Sequence, residues 1–431
     1  MFEEDVFKDI KGYLEVKDSL NRVIDMLNNP KKYKDLGCDM IKGLLLYGPP
    51  GTGKTSFAYD LINSINCPNY LIRRDGTDEH FNNLLNIKFD EAIKNAPSII
   101  LLDDLDKFST SEIDDNIFTT VQSLIDKAKN YDVLVVATTN FKDKLPSSLR
   151  RKGRFDLLIE VPTPNEEDSY EILSQYLTTK KIDKDVNIKR VSNIISGFSC
   201  AEIESVCKKA GLYAGYNNQE TIKMNDIVKA SLELLYGGDS DIFDEDVIYN
   251  NEQVAYHEAG HAIIANYFNP GSIRFISISK NYVKRGIIVY HDSKNDNKTE
   301  LSEKAHLIRV LGGKAATEVV FNECDLGANS DLHKAFAIAR NFVDAYCLDG
   351  FDCWFQSDEE TSEMTKSNKD KKSSEMVRNY YNKAKEILIA KRDVLDKLAK
   401  KLIKSKILYE DEINKILNNK GDNYGNIKSI R

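Results

Sequence analysis

The stretch Gly48-Pro49-Pro50-Gly51-Thr52-Gly53-Lys54-Thr55 constrains the fold of this chain more than any other. It follows the apolar run Gly43–Tyr47 directly and opens an amphipathic segment, the strand–loop–helix setting that a phosphate-binding loop requires. Its glycines let successive backbone N–H groups curl around an anion, and the helix start adds positive potential. In that geometry Lys54 reaches the β- and γ-phosphates of ATP, and the Thr55 hydroxyl binds Mg2+. A strand that feeds such a loop and helix implies a parallel sheet covered by helices.

Four more short apolar runs, Tyr70–Arg73, Ser98–Leu102, Val133–Thr138 and Leu157–Val161, alternate with amphipathic stretches as such a sheet needs. Ser98–Leu102 runs into Asp103-Asp104, where Asp103 would hold the Mg2+ hydration shell and Asp104 would orient the attacking water. Val133–Thr138 runs into Thr139-Asn140, which places the Asn140 amide at a strand end beside the γ-phosphate. The cluster Arg150-Arg151-Lys152-Gly153-Arg154 reads either as a finger for a neighbouring subunit's nucleotide or as a surface basic patch.

A second constraint lies in Tyr256-His257-Glu258-Ala259-Gly260-His261. Histidines four residues apart on a helix lie about 40° from eclipsed, one turn above the other, so His257 and His261 can grip one Zn2+ from the same side. Glu258 beside them can reach a zinc-bound water as general base. Asn250 or Asn251 can cap this helix, and Asn269-Pro270-Gly271 stops it. A third ligand is needed, and Glu318, Glu323, Asp331 and His333 all lie downstream at feasible distances. His291 and His306 read as ordinary surface histidines.

At 431 residues the chain has room for two to three domains. Residues 165–237 hold no convincing strand and read as a small helical subdomain, with Ser199-x-x-Glu202 as a capping box. Gly237-Gly238-Asp239-Ser240-Asp241 reads as a flexible acidic linker. Beyond it the chain is mainly helical, with a strand or hairpin around Ile273–Ser279 and Gly286–His291, a polar loop over Ser357–Lys372, and helical periodicity from Met376 to Leu408. A net charge of −8 argues against general polyanion binding, hence against nucleic acid as a partner. Seven scattered cysteines suit free thiols in a reducing cytoplasm, and no apolar run approaches the roughly 18–20 residues of a membrane span.

Taken together, these residues resemble the FtsH family of ATP-dependent zinc metalloproteases over nearly the whole length. Phe7–Gly12 looks like the family's segment near the adenine, and Leu145-Pro146 through Arg154-Phe155-Asp156 like its second region of homology. Gly197–Glu202 resembles the sensor-2 helix start. Leu311–Glu318 and Gly327–Leu332 resemble the two peptidase motifs downstream of the zinc helix. The resemblance makes Asp331, on a helix capped by Ser330, the third zinc ligand, leaves Glu318 a supporting role, and makes Arg151 and Arg154 the finger candidates. It implies a multidomain chain: an α/β P-loop AAA+ domain over 1–163, a helical lid over 164–237, a linker over 238–249, and a mainly α-helical zinc metallopeptidase domain over 250–431.

The family further implies a hexameric ring that threads unfolded or damaged protein to the peptidase, using Zn2+, ATP and Mg2+. The chain departs from the pattern in four places. Its AAA+ module begins almost at Met1 without the usual two membrane spans, which implies either a soluble member or a truncated chain, and Met1 followed by an entry segment favours the former. Asp104 stands where the family carries glutamate. Phe81 is the only good candidate for the substrate-gripping aromatic, with a core role as its alternative. The stretch Asp106–Asp132 lacks a Gly-rich second pore loop. The expected activity is therefore ATP-dependent zinc endopeptidase. The alternatives are a zinc peptidase whose AAA+ half serves oligomerisation, and a remodelling ATPase on a scaffold peptidase domain.

Overall fold

The structure, a computed structural model, describes residues 6–108, 116–237, 251–278, 286–291, 299–323, 326–348, 350 and 362–417. The chain divides into two compact units, Met1–Ala230 and Ser231–Arg431. The expected linker 238–249 lies outside the described residues, as does Asn250.

In the first unit the chain runs α1 (Leu14–Asn28), α2 (Pro30–Asp35), β1 (Gly43–Tyr47), α3 (Lys54–Asn63), β2 (Asn69–Ile72), α4 (Asp78–Lys94), β3 (Ser98–Leu102), α5 (Asn116–Ala128), β4 (Val133–Thr139) and β5 (Leu157–Glu160). Helices α6 (Glu166–Thr178), α7 (Ile188–Ile194), α8 (Cys200–Tyr216) and α9 (Met224–Tyr236) follow, and the break between units falls within α9. The five strands are parallel in the order β2-β3-β4-β1-β5. Strands buried on both faces need no polar alternation, which is why Leu44, Leu45 and Leu46 can follow one another without exposure. The order sets the ends of β3, β4 and β1 side by side, where an open parallel sheet presents ligands. Ser199 and Glu202 form the expected capping box at the start of α8.

Phe81 is a core residue. It is fully buried on α4 with Leu85 and Phe89, its ring edge-on to Phe108 at 4.8 Å. The pattern i, i+4, i+8 is an inward stripe, so Phe81 cannot serve as an exposed substrate grip.

The second unit comprises α10 (Asn251–Phe268), β6 (Ile273–Ile278), β7 (Gly286–Tyr290), α11 (Glu300–Phe321), α12 (Asn329–Asp344), α13 (Glu363–Ala390), α14 (Arg392–Ser405), β8 (Ile407–Tyr409) and α15 (Glu410–Leu417). Of the expected strand or hairpin, an antiparallel pair is present as β6 and β7, and β8 joins it in the order β7-β6-β8. Helix α10 ends at Phe268, where Gly271 adopts φ 76° and its N–H bonds to Asn266 Oδ1 at 3.0 Å. Two expectations are corrected here. Residues 363–372 are helical rather than loop: Ser362 caps α13, and Lys369 and Ser373 are buried on it. The periodicity from Met376 to Leu408 covers two helices that break at Lys391, and Lys406 at φ 62° then turns the chain into β8.

Helices α10 and α11 approach closely because glycine meets glycine. A Cβ added at Gly260 would lie 2.4 Å from the Gly312 carbonyl oxygen and 2.5 Å from Ala316 Cβ. Gly260→Ala should therefore lower the stability of this unit by about 1–3 kcal/mol. Gly211→Ala, mid-helix in α8 with Ile222 Cδ1 as nearest neighbour at 3.8 Å, should raise stability by about 0.5–1 kcal/mol. Denaturant unfolding of both variants checks the pair.

Candidate nucleotide site and metal centre

In the first unit the glycine loop joins β1 to α3. Gly53 precedes α3 at φ 92°, a backbone that a side chain would strain, and Lys54 begins the helix. The buried Lys54 folds back on its own loop, its Nζ donating to the carbonyls of Gly48 (2.9 Å) and Pro49 (2.7 Å). Burial pulls its pKa down, against the nearby carboxylates of Asp104, Asp106 and Asp103. Thr52 Oγ1 donates to the Pro49 carbonyl, and the Gly51 carbonyl accepts the Ala201 N–H at 3.1 Å, which ties loop to lid helix α8. The segment before α1 packs on α3: Phe7 and Tyr13 meet the Phe57 ring at 5.6 and 5.7 Å.

Asp103, 2% exposed, stands at the end of β3 as the hub of the site. Its Oδ1 accepts from Thr55 Oγ1 (2.8 Å) and Thr138 Oγ1 (2.7 Å), while Arg73 Nε donates to its Oδ2 at 2.8 Å. Asp104 has a left-handed backbone (φ 56°) and pairs with Lys107 at 2.8 Å. The Asn140 backbone N–H is held by Asp106 Oδ1 at 2.9 Å, which also accepts from Thr139 Oγ1. The two finger candidates differ. Arg154 is spent within its own unit, donating to Asp126 Oδ2 (2.7 Å) and the Ser148 carbonyl (2.6 Å), whereas Arg151 is exposed. That pairing holds the Asp126 carboxyl at about 2, below its usual range. Sequence reasoning missed Arg73, Thr138 and Asp106. Their signal was available, since each stands at or just past the C-terminal end of a parallel strand.

In the second unit α10 presents His257 and His261 with their rings 4.7 Å apart. Their Nε2 atoms are 3.1 Å from each other and each 3.1 Å from Asp331 Oδ2, brought in by the first turn of α12. That helix starts at Asn329 with Ala328 in the cap position, so Ser330 lies inside the first turn and is not its cap. Burial opposes ionisation of Asp331, but the imidazoles of His257 and His261 against it outweigh that and hold the carboxyl well below its usual range. His261 Nδ1 donates to the Arg309 carbonyl at 2.8 Å, which leaves its Nε2 lone pair facing the cluster. Three acceptor atoms in a 3.1 Å triangle repel one another unless a proton or cation lies among them. Ligands about 2.0–2.1 Å from a tetrahedral zinc stand roughly 3.3 Å apart, so the donor set fits that ion.

Glycines admit the cluster. A Cβ on Gly313 would come within 2.5 Å of both imidazole Nε2 atoms, and one on Gly286 within 2.3 Å of Glu258 Oε1. Glu258 is thus buried under the backbone of β7, and burial raises its pKa although the two histidines oppose the rise. The other ligand candidates stand elsewhere. Glu318 pairs with Tyr381 and with Lys385 (3.1 Å), and Glu323 and His333 are exposed. His291 is half-buried rather than on the surface, bonded to Arg274 Nε (3.0 Å) and Glu410 Oε1 (3.1 Å), and His306 is half-buried.

Comparison with known proteins covers both units. Residues 44–163 match the ATPase family associated with various cellular activities (AAA), 185–229 the AAA+ lid domain, and 248–416 Peptidase family M41. Among the similar proteins is the ATP-dependent zinc metalloprotease FtsH 2 of a Thermoanaerobacter species, 31% identical, with 94% of this chain and 82% of that protein covered. Another is ATP-dependent zinc metalloprotease FtsH of Caldicellulosiruptor bescii, 30% identical over 95% of this chain and 72% of that one. The mouse ATP-dependent zinc metalloprotease YME1L1 is 32% identical over 96% and 60%. No helix among the described residues is long and apolar enough to cross a membrane. An N-terminal α/β AAA+ ATPase domain with a helical lid precedes a mostly helical zinc peptidase domain, and the chain belongs to the FtsH family of ATP-dependent zinc metalloproteases.

Proposed function

We propose that this chain is an ATP-dependent zinc endopeptidase that unfolds and degrades proteins, with Glu258 as its general base. The observation that carries the reading is the convergence of His257, His261 and Asp331 beside the buried Glu258. Those three residues would hold zinc, which supplies a Lewis acid that polarises a scissile carbonyl and acidifies water. Glu258 takes the proton of the attacking water and passes it to the leaving amine. Its burial keeps bulk water from competing for that proton. Strand β7 pairs with β6 on one side only among the described residues, so its free edge beside Glu258 suits an extended peptide added as a further strand.

In the ATPase unit Gly48, Pro49, Pro50, Gly51, Thr52 and Gly53 would wrap the phosphates through their backbone, with Lys54 as counter-charge. Thr55 and Asp103 would hold Mg2+, and Asp104 and Asn140 would orient water at the γ-phosphate. We read the assembly as a homo-hexamer in which Arg151, the exposed arginine, reaches the neighbour's nucleotide. Arg154 keeps an intramolecular role through Asp126. The five free thiols among the described residues support a reducing compartment, the cytoplasm. A second reading, in which nucleotide chiefly drives oligomerisation, is favoured by Asp104 alone, since Lys107 neutralises it.

Glu258→Gln should lower casein degradation by about 10²–10⁴-fold while keeping one zinc per chain. Asp331→Ala should lose the metal, and Glu318→Ala should retain it; metal analysis of the three decides the ligand set. Casein degradation should require ATP and vanish in Lys54→Ala, and degradation indifferent to ATP overturns the coupling. Arg151→Ala should lower ATP hydrolysis by about 10³-fold at an unchanged melting temperature. Arg154→Ala should instead lower that temperature by about 2–5 °C, as phosphate release and thermal unfolding will report.

A further inference from the structure

We propose that Arg73 is a positioning residue that competes with Mg2+ for Asp103 and so sets how much magnesium nucleotide binding demands. The inference rests on the reading of the glycine loop and Asp103 as the nucleotide site. Strands β2 and β3 run parallel with Ile72 opposite Leu102, so the next residues, Arg73 and Asp103, emerge side by side at the sheet edge. Two guanidinium nitrogens meet one carboxylate oxygen: Nε lies 2.8 Å and Nη2 2.6 Å from Asp103 Oδ2. The other oxygen, Oδ1, is already shared by the hydroxyls of Thr55 and Thr138. Asp103 is therefore saturated, with its charge neutralised on one face and its acceptor sites filled on the other.

The donor set still suits the metal. Thr55 Oγ1 and Asp103 Oδ1 stand 2.8 Å apart, near the spacing of neighbouring oxygens around an octahedral ion with ligands about 2.1 Å away. A divalent cation drawn to that pair meets a guanidinium on the same carboxylate. Like charges so placed oppose each other, and a carboxylate already paired attracts a second cation less strongly. The neighbouring cations do not duplicate this effect. Lys54 is turned onto the Gly48 and Pro49 carbonyls, and Lys107 is paired with Asp104. The nearby carboxylates of Asp104 and Asp106 are engaged with Lys107 and with Thr139 and Asn140. Arg73 itself can yield. Its side chain is 56% exposed, and its guanidinium carbon lies 5.9 Å from the Tyr59 ring centroid, so solvent and an aromatic face both lie within its reach.

The test follows a fluorescent ATP analogue bound to the full chain while buffered free Mg2+ is raised. Wild type, Arg73→Gln, Arg73→Met, Arg73→Lys and Lys54→Ala are compared, with circular dichroism reporting that each is folded. Arg73→Gln and Arg73→Met should both lower the half-saturating Mg2+ concentration about tenfold, the scale of one charged hydrogen bond. Arg73→Lys, which keeps the charge but not the two-nitrogen contact, should fall between wild type and the two neutral variants. A local distortion of the site would raise the magnesium requirement, so a fall is the signature of a removed competitor. An unchanged or raised requirement in both neutral variants overturns the proposal, while tight binding that Lys54→Ala abolishes leaves the nucleotide site standing. Wild type and Lys54→Ala binding the analogue alike would overturn the nucleotide reading and the proposal with it.

Discussion

The peptidase unit depends on how closely two helices can lie. Gly260 faces Gly312 across the α10–α11 contact, and Gly313, one residue on, clears the space into which both imidazole Nε2 atoms project. Any larger residue at these positions separates the helices or displaces the rings. The same approach brings the Arg309 carbonyl to His261 Nδ1 and so selects the tautomer that faces inward. Helix spacing, ring orientation and proton placement are thus one constraint seen at three scales. The β7 backbone adds the fourth wall, and Gly286 is glycine because Glu258 occupies the place a side chain would take.

The ATPase unit is organised differently, around strand ends rather than a helix contact. Order β2-β3-β4-β1-β5 lines up Arg73, Asp103, Thr138 and the glycine loop along one edge, each contributed by a different strand. No single segment of sequence contains this site; the parallel register assembles it. The lid joins through Ala201 and Cys200, whose contacts reach the loop backbone at Gly51 and Thr52. Movement of α8 and the conformation of the phosphate loop are therefore mechanically linked.

Much of this was legible in the sequence because it is local. The strand that feeds the glycine loop and the two histidines one turn apart need only their own periodicity to be read. Asp331 is not local, since it reaches the imidazoles only through the path of α11 and the start of α12, and spacing left it level with three other residues. The N-terminal half of α13 was hidden because its inward face carries Lys369 and Ser373, with Lys369 paired to Asp344 at 3.4 Å, so burial leaves no apolar stripe. β8 was hidden by its brevity, three residues after a left-handed Lys406 at the end of a strong helical period. Phe81 was readable in principle, since Leu85 and Phe89 complete its stripe, but a motif expectation competed with the pattern.

Asp104 carries a consequence beyond its short reach. Its backbone sits at φ 56°, a region that aspartate and asparagine tolerate far better than longer side chains do. Residue type and local geometry have therefore settled together: the left-handed turn leads into Leu105–Lys107, and Lys107 then returns to the Asp104 carboxylate. A glutamate in the same place would gain one methylene of reach and face a less hospitable backbone. The turn and the acid form a single unit, so lengthening the acid alone would disturb the turn that holds it.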